Sequence, residues 1–176
     1  AALKSLRALN LDSTALTDGG LAPLANLSGL RELHLNFTAV SDKGLAHLTK
    51  LTALEQLWLV STKVTDKGLA HLAKLDQLRQ LWLDGTGLTG EGLTHLQGLK
   101  ALKVLSLGQT KVTDKGLAHL TKLGQLCRLF LGGTAITSAG LAPLAGLTNL
   151  EILSLQGLPL DDGAMVDSLL EQGGIL

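Results

Sequence analysis

The chain has 176 residues, of which 45% are apolar and only 2% aromatic, so its core must be aliphatic and mostly leucine. Fifteen lysines and arginines balance fifteen aspartates and glutamates, which excludes a whole-protein electrostatic attraction to nucleic acid or to an anionic membrane. A single cysteine, Cys127, excludes an intrachain disulfide, and no apolar run approaches the roughly 20 residues of a membrane-spanning helix.

A leucine motif recurs every 24 residues through the chain. Each repeat opens with L-x-x-L-x-L, as at Leu54 to Leu59, and its second half reads G-L-A-x-L-x-x-L, as at Gly68 to Leu75. Residues 1–176 are therefore predicted to form a single repeat domain. The seven repeats begin at Leu6, Leu30, Leu54, Leu78, Leu102, Leu126 and Leu150.

The first half of each repeat has the periodicity of a strand. Leu57 and Leu59 alternate with Trp58, so the leucines face the core and the tryptophan faces away. Every strand is followed by the same return path, which predicts a parallel sheet with strands about 4.8 Å apart.

The second half has the periodicity of a short helix, because Leu69, Leu72 and Leu75 step by three. The pairs Ser41-Asp42, Thr65-Asp66 and Thr113-Asp114 are expected to cap the first helical turns. Helices are wider than the strand spacing, so the stack should bend. We predict an α/β solenoid, a right-handed horseshoe with its parallel sheet on the concave side and its helices on the convex side.

A threonine follows each strand at the same position, and its hydroxyl is expected to bond backbone groups that the turn removes from water. The column is Thr14, Thr38, Thr62, Thr86, Thr110 and Thr134.

The two ends of the repeat array differ from its middle. Ala1-Ala2-Leu3 matches the tail of a preceding repeat, so the N-terminal face is expected to be uncapped and available for self-association. Repeat seven departs from the pattern and is expected to be an atypical C-terminal cap. Its distinguishing residues are Leu158, Ala164, Met165, Asp167, Glu171 and Gln172.

The pattern L-x-x-L-x-L-x-x-T-x-V-T-D-K-G-L-A-H-L-x-K-L resembles the bacterial leucine-rich-repeat proteins whose coils carry a helix. It is similar to the ribonuclease-inhibitor-like architecture with a shortened coil, and G-L-A-x-L is similar to the GALA-type effectors. The resemblance covers essentially the whole chain, with threonine in place of the family's usual asparagine. It implies a scaffold that binds other macromolecules, without identifying the partner.

The middle outward residue of each strand is predicted to form a row across the concave sheet. The row is Asn10, His34, Trp58, Trp82, Ser106, Phe130 and Ser154. Three of the four aromatics lie in it, and Phe37 follows the second strand, so all four are expected to face solvent. Exposed aromatics are unusual without a use, and tryptophan is enriched in binding hot spots. The alternative is that Trp58 and Trp82 stack on each other and shield the sheet.

Charges of both signs flank this row, which suits the polar rim of a protein partner, whereas a nucleic-acid groove would carry a positive excess. They are Arg31, Glu32, Glu55, Arg79, Asp84, Lys103, Arg128 and Glu151. We therefore predict that the chain binds a protein or peptide, and neither nucleic acid nor a membrane. The predicted partner-binding residues are Arg31, His34, Phe37, Glu55, Trp58, Arg79, Trp82, Arg128 and Phe130.

A second ladder, of histidines, lies on the helix side at His47, His71, His95 and His119. Convex helices fan apart, and Pro23 and Pro143 take the same position in other repeats, so no metal site is predicted. The stripe of Lys43, His47 and Lys50 is interpreted as a solvated helix face.

The chain carries no recognisable catalytic motif and no cofactor motif, so we predict a non-enzymatic protein without a cofactor. Cys127 is interpreted as an incidental surface thiol. Two alternatives stay open: a carbohydrate or small-ligand platform on the aromatics, and a spacer or self-associating segment. The compartment is undetermined, although the lack of disulfides and of a visible signal peptide favours the cytoplasm.

Overall fold

The computed structural model describes residues 3–160, and within that range seven strands form one parallel sheet in chain order, β1 to β7. Each coil therefore adds one strand beside the strand of the coil before it, which confirms the predicted parallel solenoid. The strands are β1 (Ala8–Asn10), β2 (Glu32–His34), β3 (Gln56–Trp58), β4 (Gln80–Trp82), β5 (Val104–Ser106), β6 (Arg128–Phe130) and β7 (Ile152–Ser154).

The register of the sheet equals the period of the sequence. Leu57 pairs with Leu81, and Trp58 pairs with Trp82, so equivalent residues of successive coils lie side by side. All six pairings keep this register without a slip.

In the first six coils, the described residues of the other half form short helical segments. Three are α-helices of four residues, α1 (Asp18–Leu21), α2 (Asp42–Leu45) and α3 (Asp114–Leu117). The 3₁₀ segments are Ala22–Asn26, Ala46–Leu48, Gly68–Leu72, Glu91–Leu96, Ala118–Lys122 and Ser138–Gly146. Most of the expected helix is thus 3₁₀, because leucines that step by three share a face at 3.0 residues per turn.

Leucine and valine fill the core without help from aromatic residues. Leu57 on the strand, Leu59 directly after it, Val64 after the turn, and Leu69 and Leu72 on the helical segment are all fully buried. The strand leucines and the helical leucines therefore meet in one aliphatic layer, as the two periodicities predict.

The threonine column satisfies backbone carbonyls within its own coil. Thr62 is buried, and its Oγ1 donates to the carbonyl of Leu59 at 2.7 Å. All six threonines make this bond at 2.6–2.8 Å, which confirms the predicted role of the hydroxyl.

The aspartates that begin the helical segments bond to the next coil. Asp42 accepts the backbone N–H of Thr65 at 2.7 Å and the Thr65 hydroxyl at 2.6 Å. The capping prediction holds for Ser41, which accepts from the N–H of Lys43 at 3.4 Å. It is wrong for Thr113, which makes no side-chain cap bond, and for Thr65, whose hydroxyl is donated to Asp42. The reason is that the next coil donates both a backbone N–H and a side-chain hydroxyl to each of these carboxylates.

The same aspartates explain the glycine of G-L-A. A Cβ on Gly68 would meet Oδ1 of Asp42, and one on Gly140 would meet Oδ1 of Asp114. Only glycine lets the carboxylate of the preceding coil approach so closely.

The pKa of Asp66 reflects these contacts. Burial raises this pKa. Hydrogen bonds from the N–H groups of Gly92 and Thr89, the Thr89 hydroxyl and the Gly90 N–H lower it by a larger amount, so that the pKa lies below its ordinary value. Burial also raises the pKa of Asp18, but hydrogen bonds from Ser41 and the Gly44 N–H, together with the charge of Lys43, lower it by more, so this pKa too lies below its ordinary value. Both carboxylates therefore stabilise the fold in their charged form.

Residues 1–2 and the helical half of the expected C-terminal cap, at 164–172, lie outside the described residues. At the two ends of the described stack, Leu3 is 67% exposed and Ile152 is 43% exposed. None of the helices between residues 3 and 160 has the length and apolar character needed to cross a bilayer.

We expect Gly68→Ala to destabilise the fold by about 1–3 kcal/mol, since the new methyl must displace the Asp42 carboxylate. Gly124→Ala is the matched control, because its Cβ would meet nothing within 4 Å. Urea unfolding of both variants measures the difference. Equal loss of stability in the two variants would contradict the close approach of Asp42.

We expect Asp66→Asn to lower the free energy of unfolding most at neutral pH. Because the folded pKa of Asp66 is depressed, its stabilisation is present above the unfolded pKa of about 3.9 and is lost as the pH falls through the folded pKa. The gap between wild type and variant should therefore shrink below about pH 4. Urea unfolding from pH 7 to pH 3 measures it, with the exposed Asp76→Asn as the control. A gap that is constant with pH would refute the charged-state contribution.

Candidate functional site

The strand residues that point away from the leucines form the open sheet face. Its middle, the central row, consists of Asn10, His34, Trp58, Trp82, Ser106, Phe130 and Ser154. The register places these residues next to one another in that order, as predicted. Four side chains with rings, His34, Trp58, Trp82 and Phe130, therefore share one face within five adjacent strands.

His34 and Trp58 form the first ring pair of the central row. Their ring centroids are 3.8 Å apart and the planes are inclined by 11°, so the rings stack face to face. Nε2 of His34 lies 2.8 Å from Oε1 of Glu32, and Nδ1 lies 3.7 Å from Oδ2 of Asp12. The Glu32 carboxylate thus holds the imidazole against the indole, and the Asp12 carboxylate lies on the other side of the ring's polar edge.

Trp82 and Phe130 form the second ring pair, although a whole strand separates them. Their centroids are 5.6 Å apart at an interplanar angle of 25°. The two rings meet above Ser106, which is only 1% exposed as a result. The tryptophans thus stack on His34 and Phe130, so the stacking of Trp58 on Trp82 is not observed. Both indoles and Phe130 are half-buried rather than fully solvent-facing.

Phe37 differs from the other aromatics because it is exposed and its backbone is strained. The side chain is 60% exposed and φ is +56°. Every coil has a left-handed residue at this position, and the others are Ser13, Ser61, Gly85, Gln109, Gly133 and Gly157. A bulky residue in this region is an outlier that costs on the order of 1–3 kcal/mol. Packing gives no reason for a phenylalanine here.

An ion-pair cluster lies where the strands begin. Glu55 contacts Nη1 of Arg31 through one carboxylate oxygen, and its other oxygen lies 3.8 Å from Nε of Arg79. Lys103 and Arg128 are exposed, and neither forms an ion pair within residues 3–160. The predicted mixed-charge border of the aromatic row is thus present, with its basic side chains extended into solvent.

Two polar atoms beside the second ring pair have no hydrogen-bond partner among the described residues. They are Nε1 of Trp82 and Oδ2 of Asp84, and both are buried. The other Asp84 oxygen accepts from the Ser106 hydroxyl at 2.6 Å and from the N–H of Gly108 at 3.1 Å. The role of Ser106 between the two rings was not predicted from the sequence. Its signal is a small residue between two aromatics in one row.

The histidine ladder does not form a centre. Among the residues that the structure describes, no three histidine, cysteine, aspartate or glutamate side chains converge to hold a metal ion. Cys127 is half-buried, and its Sγ donates to the carbonyl of Gln125 at 3.4 Å. Neither feature adds a reactive group to the open sheet face.

Known structures resemble the chain over almost its whole length. An internalin C2 (inlC2) from Listeria monocytogenes is 32% identical with a TM-score of 0.80, and the match covers 95% of this chain and 69% of that one. An internalin (inlF) from the same species is 28% identical with a TM-score of 0.81; the match covers 95% of this chain, which spans 46% of that protein. A TDR receptor, 21% identical with a TM-score of 0.66 over 90% of this chain and 27% of that one, shares the fold.

Comparison of the amino-acid sequence with curated proteins and with family models gave two results. No curated protein matches the chain. A family model described as a leucine-rich repeat matches residues 2–25 and 28–48, which correspond to the first coils of the stack. Together with the internalin C2 match, this shows that the chain belongs to the leucine-rich-repeat family.

Proposed function

We propose that this chain is a non-enzymatic scaffold that binds a protein or peptide on its open sheet face. One observation carries the proposal: every aromatic side chain of the protein lies on or beside this face, and none lies in the leucine core. Repeat solenoids offer extended surfaces of this kind to their partners. The ribonuclease-inhibitor-like or GALA-type subclass stays a prediction.

The packing of the leucine core does not depend on these aromatics. Buried leucines close the core on their own, so replacing an aromatic by a small polar residue leaves the core contacts unchanged. Phe37 even adds strain to its coil. Residues that cost stability and fill no cavity are characteristic of sites selected for function.

The arrangement has the anatomy of a binding interface. Trp58 and Trp82 at the centre of the row supply rigid apolar area of the type found in hot spots. The charged residues that border them supply a polar rim. That rim consists of Arg31, Glu55, Arg79 and Arg128.

The span of the row sets the size of the bound segment. His34 and Phe130 are four strands apart, which corresponds to roughly 19 Å at the usual strand spacing. An extended peptide rises about 3.3 Å per residue, so about six residues would cover the row. Phe37, beyond the end of β2, widens the surface towards the ends of the strands. The row therefore suits one peptide segment or one protein loop.

A carbohydrate or small-ligand platform is the second candidate, and the two ring pairs on the open sheet face favour it. A hydroxylated ligand both accepts and donates hydrogen bonds and stacks on aromatic rings. Binding on a glycan array that requires Asp84, without any protein partner, would support this candidate.

Self-association of the chain is a further alternative, and it is tested by light scattering as a function of protein concentration.

We expect Trp58→Ala/Trp82→Ala to abolish partner capture, because it removes both apolar anchors. The measurement is affinity capture from an extract of the source cells, followed by titration of the captured protein. The two tryptophans and the absence of tyrosine make intrinsic fluorescence a direct reporter of the central row. The control is His71→Ala/His95→Ala on the helix side. Capture that survives the tryptophan change, or needs the histidines, would contradict the proposal.

We expect Phe37→Gly to weaken binding of the captured partner without destabilising the fold. Glycine already occupies this left-handed position in three other coils, at Gly85, Gly133 and Gly157. Ser61→Gly is the matched control, since Ser61 has φ +54° and is also exposed. Calorimetric titration and urea unfolding measure both variants. Equal affinity in the two variants would remove Phe37 from the site.

A further inference from the structure

The open sheet face has a basic edge where its strands begin. The residue that follows the first leucine of each repeat is Arg7, Arg31, Glu55, Arg79 and Lys103 in the first five repeats. The four cationic members, Arg7, Arg31, Arg79 and Lys103, are all exposed, and we call them the basic rim. With Glu55, this one position carries four positive charges and one negative, a net of three positive charges, in the first five repeats. Glu32, the first residue of β2, is the acidic residue directly beside Arg31.

The charges of the basic rim are only partly neutralised. Glu55 is shared between Arg31 and Arg79. Arg7 uses Nη1 on backbone carbonyls, of which that of Gly29 is the nearest at 3.2 Å. Lys103 forms no ion pair within residues 3–160. Like charges side by side on neighbouring strands destabilise a sheet, so the rim is a cost to the isolated protein.

The opposite edge of the same face is acidic. Asp12 and Asp84 follow β1 and β4, and in both the position is two residues beyond the central row. Both oxygens of Asp12 accept from Asn36, whereas Oδ2 of Asp84 is unpartnered among the described residues. Asp84 is five positions after Arg79, or roughly 16 Å along an extended strand. The aromatic row therefore lies between a basic edge and an acidic edge.

We infer that the partner of this face is an acidic protein segment, which rests on the proposed function. Its carboxylates lie along the basic rim, and its apolar side chains rest on Trp58 and Trp82. Arg31 and Arg79 are two strands apart, about 10 Å, which lies between the spacings of residues i and i+2 and of residues i and i+4, about 7 and 13 Å, on one side of an extended segment. Arginine presents a fork of donors to a carboxylate, so each such contact is directional as well as charged.

A nucleic acid fits this face less well than an acidic peptide does. A phosphate backbone is negative along its whole length, and it would meet Glu55 within the rim and Asp84 across the face. The protein has no net charge to attract a polyanion from a distance. A peptide can place its carboxylates on the rim alone.

The test is to select binders from a random peptide library displayed on phage, using the immobilised wild-type protein and its variants as targets. Arg79→Glu/Lys103→Glu reverses two charges of the basic rim, and Arg79→Gln/Lys103→Gln removes them if the reversal disturbs folding. Lys67→Glu/Lys115→Glu reverses two exposed charges on the helix side and is the charge-matched control. Trp58→Ala/Trp82→Ala separates this inference from the proposed function. Circular dichroism verifies that each variant is folded.

We expect wild type and the helix-side control to select peptides rich in aspartate and glutamate. Synthetic copies of these peptides should bind the rim variants about tenfold more weakly or worse, and added salt should weaken their binding to wild type. Selected peptides that need the tryptophans but show no acidic bias would overturn this inference and leave the proposed function in place. Peptides that bind regardless of the tryptophans, or no peptides at all, would overturn both. Tighter binding of a 20-nucleotide oligo(dT) than of the acidic peptides would overturn the inference in favour of nucleic acid.

Discussion

The structure depends on the exact repetition of the coil, because no coil buries its own leucines alone. Leu57 is fully buried only with Leu33 on one side and Leu81 on the other. The backbone enforces the same alignment. The N–H of Leu35 donates to the backbone carbonyl of Trp58, and the N–H of Leu59 donates to the backbone carbonyl of Trp82, both at 2.8–2.9 Å. A slip of one residue would turn the leucines outwards in every coil that follows. The 24-residue period thus aligns the leucines of the core and also sets which surface residues are neighbours.

Repetition also turns single polar contacts into ladders. The threonine bond stays within one coil, so it survives in all six coils that carry a threonine. The aspartate bond joins two coils, so it fails wherever one partner is missing. Gly90 stands where neighbouring repeats have aspartate, and a Cβ on Gly116 would meet the backbone of Gly90 instead of a carboxylate. Stability along the stack is therefore uneven in its polar part and uniform in its leucine core.

The fold and the order of the central row follow from the sequence, because a strict period specifies which residues are neighbours. The ring pairs do not follow, because a period gives the position of a Cα and not the direction in which a side chain leans. Trp82 reaches past its neighbour to Phe130 since Ser106 is too small to stand between them. The aspartates were predicted to serve their own helices for a similar reason. In the sequence, Asp66 is close only to residues of its own coil. In the structure, the stacking of the coils also brings Thr89 and Gly92 of the next coil within hydrogen-bond distance of it.

A core made only of aliphatic side chains leaves the outward strand positions outside the core packing. In most small domains an aromatic residue on the surface also fills part of the core, so its presence does not distinguish binding from stability. Here the two roles are separated by the pleat of the strand: Leu57 stabilises and Trp58 faces the open side. The same register that stacks leucine on leucine also sets arginine near arginine and ring near ring. Side chains that would stand alone on one coil are thereby gathered into a surface several coils wide, and the rings of that surface lie outside the leucine core.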